Sequence, residues 1–157
     1  MKISKVISGG QTGADQAGLF AARESNIATG GWAPKGWRTD DGSSPWLADY
    51  GLEEHSSSAY PPRTRTNVSQ SDLTLIFGNS SSPGCTLTKR CCNELNKPFE
   101  LIKHFSGSEM DKIILRLDSL PDNLTINIAG NREKSLPGIG EKTKMFLKML
   151  FDRAQSI

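Results

Sequence analysis

Short apolar runs alternate along most of the chain with longer stretches in which apolar residues recur at helical spacing. The run 72–77 has the pattern of a buried strand, whereas Met110, Ile113, Ile114 and Leu117 recur as on one helix face. The predicted strands span residues 3–7, 27–32, 72–77, 99–102 and 124–129, and the predicted helices span residues 14–24, 63–71, 85–95, 108–120 and the region around 139–150. This alternation predicts one α/β domain over residues 1–157, with a mainly parallel sheet covered by helices on both faces.

The segment from 33 to 65 departs from this alternation, because it is rich in Gly, Ser and Pro and has no sustained period. Only one short helix is predicted in it, over residues 45–52. A long irregular segment inside a compact domain is usually functional, as a lid or as a partner surface. Its bulky aromatics Trp37, Trp46 and Tyr60 have no obvious place in the core, which favours contacts between copies in a homo-oligomer.

The first predicted strand runs into a glycine turn, Ser-Gly-Gly-Gln-Thr-Gly-Ala-Asp, at residues 8–15. A strand, a glycine turn and a helix in this order direct backbone N–H groups towards an anion, with Gly10 and Gly13 allowing close approach. Thr12 adds a hydroxyl, and Asp15 falls in the first helical turn. The spacing is neither the dinucleotide fingerprint nor a Walker A loop. The turn therefore indicates an anionic ligand other than NAD or ATP; the alternative is a turn that binds nothing.

Two more glycine-bearing turns follow strands, at 78–86 and 130–140. Ligands of open parallel sheets bind outside the carboxyl ends of the strands, so we expect all three turns to meet at one edge. The second turn offers Ser80, Gly84 and Thr86, and the third offers Asn131 and Arg132. Basic residues of the long segment are expected to complete a positive ring: Lys35, Arg38, Arg63 and Arg65. For any one of them alone, a solvated surface charge is the simpler interpretation.

Composition excludes several further classes of function and location. The formal net charge of +2 gives no indication of nucleic-acid binding, and no apolar run is long enough to span a membrane. The first residues have no signal-peptide pattern, and three clustered cysteines argue against a disulfide framework, so a cytoplasmic location is expected. We interpret Cys85, Cys91 and Cys92 as ordinary helix residues. His55 and His104 are isolated, and neither a catalytic constellation nor metal-ligand spacing is evident.

The motifs at 8–15, 63–68, 83–86 and 129–139 resemble the molybdenum carrier family, bacterial relatives of the molybdenum cofactor carrier proteins, over nearly the whole chain. The resemblance implies a Rossmann-like fold, an oligomer, and binding of the molybdenum cofactor or a molybdenum oxyanion such as molybdate. Together with the turns, it gives the expected ligand-binding residues: Gly10, Gln11, Thr12, Gly13, Asp15, Lys35, Arg38, Arg63, Arg65, Asn67, Ser80, Gly84, Thr86, Asn131, Arg132 and Ser135.

A wider resemblance connects the chain to the lysine-decarboxylase-like phosphoribohydrolases. Their glycine motifs are found here in a different order, which implies a circular permutation of that fold. The hydrolases carry a catalytic Glu three positions after the Thr of their last motif, whereas this chain has Lys89 there. Lysine cannot act as that carboxylate, which favours binding over hydrolysis. Two alternatives stay open: an enzyme in which Asp15 or Glu133 supplies the acid or base, and a nucleotide-sensing module without catalysis.

Overall fold

Six parallel strands form the main sheet of the structure, a computed structural model that describes residues 1–157. In chain order the strands are β1 (Ile3–Ser8), β2 (Ala28–Ala33), β3 (Arg38–Thr39), β4 (Gly42–Ser43), β5 (Leu52–Glu54), β6 (Leu73–Phe77), β7 (Phe99–Ile102) and β8 (Leu124–Gly130). The spatial order is β5-β2-β1-β8-β6-β7, and β3 and β4 form a separate antiparallel ribbon. The last strand thus lies between β1 and β6, at the centre of the sheet.

Five helices cover the sheet: α1 (Ala14–Glu24), α2 (Tyr60–Ser69), α3 (Pro83–Glu94), α4 (Gly107–Asp118) and α5 (Ile139–Ala154). Helices α1, α4 and α5 share the main apolar core with the strands, whereas Val68, Cys91 and Cys92 form a second cluster between α2 and α3. The predicted parallel α/β fold with helices on both faces is confirmed. None of the five helices combines the length and apolar character needed to cross a membrane.

The segment from 33 to 65 is more ordered than its sequence predicts. It contains the β3–β4 ribbon, a 3-10 helix over Pro45–Tyr50 and the edge strand β5. Its Leu47 and Leu52 are buried with Leu19 of α1, and Trp37 packs against this small cluster. Strands of two or three residues are too short to produce a detectable alternation, which is why the sequence does not predict them. Helix α2 also begins at Tyr60, before the predicted position, because prolines suit the first turn of a helix.

All three cysteine side chains are buried and unpaired. Burial raises the pKa of each of the thiols of Cys85, Cys91 and Cys92 above its ordinary value. They therefore remain protonated and pack as small apolar groups in α3, in agreement with their interpretation as ordinary helix cysteines.

Candidate functional site

The three glycine turns meet at the carboxyl edge of the sheet, because β1, β8 and β6 are neighbours. Asn131 connects them. Its carbonyl accepts a hydrogen bond from the Ala14 N–H at 3.1 Å, and its own N–H donates to Phe77 at 3.1 Å. Its side-chain oxygen accepts from the N–H of Asn79. The expected convergence is observed, and Asn131 primarily holds the turns together.

The first and third turns touch backbone to backbone at Gly13. Its φ of +85° is in the left-handed region, and a Cβ there would collide with the carbonyl of Asn131. Gly9 has a different role, since a Cβ at Gly9 would occupy the position of the Arg63 guanidinium. Glycine is therefore required at Gly13 for contact between turns, and at Gly9 for room above the backbone where an arginine lies.

A cleft of about 340 Å³ opens where these turns face α2 and the start of α3. Half of the expected ligand residues line it: Gln11, Asp15, Arg63, Asn67, Gly84, Asn131, Arg132 and Ser135. Asn67 lines the cleft but is already satisfied, because its side chain bonds the N–H and the carbonyl of Trp32 at 2.9 and 3.0 Å. Of the other polar residues, Arg132 and Ser135 remain accessible to solvent, whereas Gln11, Asp15 and Asn131 are buried.

A buried ion pair forms one wall of the cleft. Nη1 of Arg63 lies 3.4 Å from Oδ2 of Asp15. Burial raises the pKa of Asp15 above its ordinary value, although the guanidinium of Arg63 and the backbone N–H of Gln11 oppose this. Burial likewise lowers the pKa of Arg63, opposed by the charge of Asp15. The two charges are only partly compensated at this distance.

Two buried donor atoms at this wall of the cleft have no hydrogen-bond acceptor in the protein. They are Nε of Arg63 and Nε2 of Gln11. Nearly all buried polar groups are hydrogen-bonded in folded proteins, so unpaired donors at a cleft indicate a missing acceptor. The arrangement favours an oxygen-rich ligand or ordered water at this wall.

Arg132 projects from the third turn across the cleft and pairs with Asp40 of the β3–β4 ribbon, Nη1 to Oδ1, at 2.9 Å. Arg132 forms no ion pair with its sequence neighbour Glu133. Glu133 instead accepts from the N–H groups of Gly138 and Gly140 at 2.6 and 3.0 Å. Glu133 therefore caps the start of α5. Its carboxylate is occupied by these hydrogen bonds, which argues against the role of acid or base that an enzyme would need from it.

Tyr60, which the sequence predicts at an interface between copies, lines the cleft at the start of α2 instead. Guanidinium carbons of Arg38, Arg132 and Arg63 lie 4.6, 4.8 and 5.3 Å from its ring centroid. The sequence did carry a signal for one of these contacts, since Tyr60 and Arg63 are three residues apart on one helix. The other two contacts depend on the ribbon and the third turn.

The other eight expected residues do not line the cleft: Gly10, Thr12, Gly13, Lys35, Arg38, Arg65, Ser80 and Thr86. Gly10 and Gly13 belong to the backbone of the first turn, and Arg38 lies beside the Tyr60 ring without lining the cleft itself. Arg65 points away and pairs with Glu94 at 2.7 Å, and Lys35 is exposed. Ser80 is buried and Thr86 is exposed, and neither reaches the cleft. The hydroxyl of Thr12 is buried without a partner and faces a second cavity of about 370 Å³ between α1 and α5. The corrections have separate causes, since Arg65 lies on helix α2, Lys35 lies in the segment before the ribbon, and Thr12 lines the second cavity.

Comparisons with known proteins place this geometry in context. The sequence model of the circularly permutated YpsA SLOG family matches residues 6–151. Among solved structures, the chain is similar to the crystal structure at 1.45 Å resolution of a "putative molybdenum carrier protein" from Syntrophus aciditrophicus SB. The two chains are 37% identical, the TM-score is 0.83, and the similarity covers 96% of this chain and 95% of the other. No curated protein matches the sequence.

Proposed function

Because the chain belongs to the circularly permutated YpsA SLOG family, we propose that it binds and carries a small anionic ligand in the cleft at the carboxyl edge of its sheet. The membership agrees with the motif resemblance and with the permutation that the sequence predicts. The proposal is the carrier function expected from the family, now attached to a specific group of side chains: Arg63, Arg132, Arg38, Gln11 and Tyr60.

One observation carries the proposal: the unpaired buried donors of Arg63 and Gln11 at a cleft that also exposes Arg132. An oxyanion supplies several acceptor oxygens at once, and arginine binds two of them with its planar fork. The backbone N–H groups of Gly10, Gln11 and Thr12 already donate to the side chains of Ser8, Asp15 and Gln11, so side-chain donors carry the binding. Asp15 and Asp40 supply two negative charges against the three arginines, so an anionic ligand adds the charge that they leave uncompensated.

We propose that the ligand is the molybdenum cofactor or molybdate. The similar crystal structure is described as that of a molybdenum carrier protein, which supports a ligand that contains molybdenum. The cleft volume of about 340 Å³ is at the lower end of the range for organic ligands and leaves room for more than a bare oxyanion. The cargo is held by hydrogen bonds and positive charge, which suffice for an oxyanion without thiolate ligands.

Native mass spectrometry with metal analysis, on protein purified from its own source, tests this choice. We expect a bound species that contains molybdenum and is lost in a variant with Arg63→Gln and Arg132→Gln. The matched control is Arg65→Gln, because Arg65 lies outside the cleft in an exposed ion pair. A bound nucleotide without molybdenum would favour the sensing module instead, and an anion-free protein under all conditions would contradict the carrier proposal.

A second candidate is a nucleotide phosphoribohydrolase, and the raised pKa of Asp15 in the cleft is the observation that favours it. A carboxyl group in a cleft whose pKa is raised by burial is a candidate for proton transfer. Against it, Lys89 does not line the cleft and Glu133 is engaged in capping α5. Incubation with nucleoside monophosphates distinguishes the candidates: release of free base, abolished by Asp15→Asn, would establish the enzyme, and no release supports the carrier.

We further propose that the protein is a cytoplasmic homo-oligomer. Of the three aromatics expected at an interface, Trp37 packs in the small core cluster and Tyr60 lines the cleft. Trp46 remains at the surface, stacked on Phe20 with ring centroids 5.9 Å apart. Large apolar side chains are also exposed on α4 and α5, namely Leu115, Met145 and Met149. These exposed groups support association between copies.

A further inference from the structure

Three arginines from three separate parts of the chain surround the single ring of Tyr60. Arg38 comes from the β3–β4 ribbon, Arg63 from α2 and Arg132 from the third glycine turn. All three guanidinium carbons lie within 5.3 Å of the ring centroid. This distance is within the range of an attractive cation–π interaction. The ring of Tyr60 therefore lies within cation–π distance of all three arginines of the candidate site.

The carboxylates near these arginines do not balance their charge. Asp40 pairs with Arg132 at 2.9 Å and Asp15 pairs with Arg63 at 3.4 Å. Arg38 donates only to the backbone carbonyl of Ser58, at 3.2 Å. Like charges gathered this closely repel each other, so a group that attracts all three must offset the repulsion. The ring of Tyr60 is placed to do this.

We propose that Tyr60 is a positioning residue that assembles the three arginines into one anion site and gives the cleft a preference for dianions over monoanions. The proposal rests on the anion-carrier function and adds its charge selectivity. The attraction between an anion and a fixed group of cations grows in proportion to the charge of the anion. If the cations disperse, a dianion loses more binding free energy than a monoanion of the same shape.

The start of α2 explains how Tyr60 reaches this position. Tyr60 is the first residue of the helix and is followed by two prolines, whose missing N–H groups are not needed there. The following turn brings Arg63 to the same side of the helix as Tyr60. The ring thus projects from a rigid helix end, while Arg38 and Arg132 approach from the ribbon and the third turn.

The test compares molybdate, a tetrahedral dianion, with perrhenate, a tetrahedral monoanion, by calorimetry at fixed salt. We expect the wild type to prefer molybdate. Tyr60→Leu removes the aromatic face and should weaken molybdate binding about tenfold, with a clearly smaller effect on perrhenate. Tyr60→Phe keeps the aromatic face and should retain the preference. The matched control is Tyr50→Leu, because Arg23 lies 3.6 Å from the Tyr50 centroid outside the cleft; its binding should equal that of the wild type.

NMR spectra of the arginine Nε–H groups in the ligand-free protein supply a second readout. Loss of the ring in Tyr60→Leu should shift the signals of Arg38, Arg63 and Arg132, and Tyr60→Phe should leave them near their wild-type positions. If the anions bind and Tyr60→Leu keeps the wild-type preference, the role of Tyr60 is overturned and the carrier function stands. If the arginine signals shift but the wild type binds neither anion, the charge selectivity is overturned and molybdate is excluded as the ligand, whereas the carrier function is then decided by the metal analysis of the purified protein.

Discussion

Arg132 shows how a single side chain can be tied to a neighbour and still be available to a ligand. Its ion pair with Asp40 uses Nη1, and two-fifths of the Arg132 side chain is exposed. Partly exposed ion pairs contribute about 0–1 kcal/mol to stability. In contrast, a charge-assisted hydrogen bond to a ligand is worth about 1.5–3 kcal/mol. A substitution at Arg132 should therefore reduce ligand affinity more than folding stability if the side chain binds the ligand, and reduce folding stability alone if it only braces the turns.

We therefore predict that Arg132→Lys weakens anion binding by roughly ten- to a hundredfold and leaves the melting temperature of the ligand-free protein nearly unchanged. Lysine keeps the charge but loses the planar fork that binds two oxygens. Calorimetry with molybdate at fixed salt measures the first effect, and a thermal scan measures the second. Arg65→Lys, at an arginine outside the cleft, is the control and should change neither. Unchanged affinity in Arg132→Lys would remove Arg132 from the site.

A second prediction concerns the glycine that joins two turns. Gly13 and Gly36 both have φ in the left-handed region, at +85° and +83°. A Cβ at Gly13 would meet the backbone of the third turn, whereas a Cβ at Gly36 would meet nothing within 4 Å. Gly36→Ala should thus cost only the conformational penalty of about 1–2 kcal/mol. Gly13→Ala should cost more, because overpacking adds roughly 1–3 kcal/mol and because its φ of +85° with ψ of −126° is a conformation that glycine alone adopts readily. Urea unfolding measures both, and equal losses would contradict the contact between the turns.

Among the elements, α4 has the best-defined start. Ser106 caps it, and the carboxylate of Glu109 accepts from the N–H groups of Lys103, His104 and Ser106 at 2.8, 3.1 and 3.0 Å. Burial alone would raise the pKa of Glu109, but these hydrogen bonds outweigh it and hold the pKa below the ordinary value of 4.5. A pKa lowered by folding stabilises the protein above the unfolded pKa, and the stabilisation is lost as pH falls through the folded pKa.

We predict that Glu109→Gln costs about 0.5–1 kcal/mol near neutral pH and that the difference from the wild type shrinks as pH falls below 4.5. The amide replaces the carboxylate oxygens only in part and carries no charge. Urea unfolding at several pH values gives the difference. Glu141→Gln, at an exposed position in the first turn of α5, is the control and should show a smaller difference. A constant loss at every pH would exclude the carboxylate charge as its origin.

The sequence predicts the elements that are long enough to show a period. The strands at 72–77 and 124–129 and the helix around Met110 and Leu117 are found close to their expected bounds. The ribbon and β5 are missed, because strands of two or three residues show no period and Leu47 is buried through tertiary contacts with Leu19, Ala33 and Leu52. Local patterns thus predict the framework of the sheet and its helices, but not the segment that covers its edge.

At the scale of the whole molecule, the site depends on topology that local sequence does not contain. Residues 8–15 and 130–140 lie at opposite ends of the chain and meet because β8 inserts between β1 and β6. The polarity of parallel strands makes this meeting predictable, and with it the position of Arg132 at the cleft. The side of each turn from which a side chain projects is not predictable. Thr12 and Thr86 are therefore misplaced in the expectation, and Tyr60 is missing from it.

The last prediction concerns association between copies. Leu115 of α4 is 71% exposed, and Met145 and Met149 of α5 are each 62% exposed. The two helices are adjacent and joined by an ion pair between Asp111 and Arg153 at 3.0 Å. Exposed methionine and leucine side chains on neighbouring helices are typical of an interface. Trp46, by comparison, is 39% exposed and already packs against Phe20 and Tyr50.

We therefore predict an oligomer at micromolar concentrations that the double variant Met145→Lys with Met149→Lys converts to monomers, because each lysine would place a charge in an apolar contact. Sedimentation velocity over a range of concentrations measures this. Trp46→Lys is the control and should leave the oligomer intact. If Trp46→Lys alone dissociates the oligomer, the interface lies on the segment 33–65, whose aromatics favour that position in the sequence. A wild type that sediments only as a monomer would exclude both surfaces. An interface on α4 and α5 would leave the cleft free, since no residue of either helix lines it.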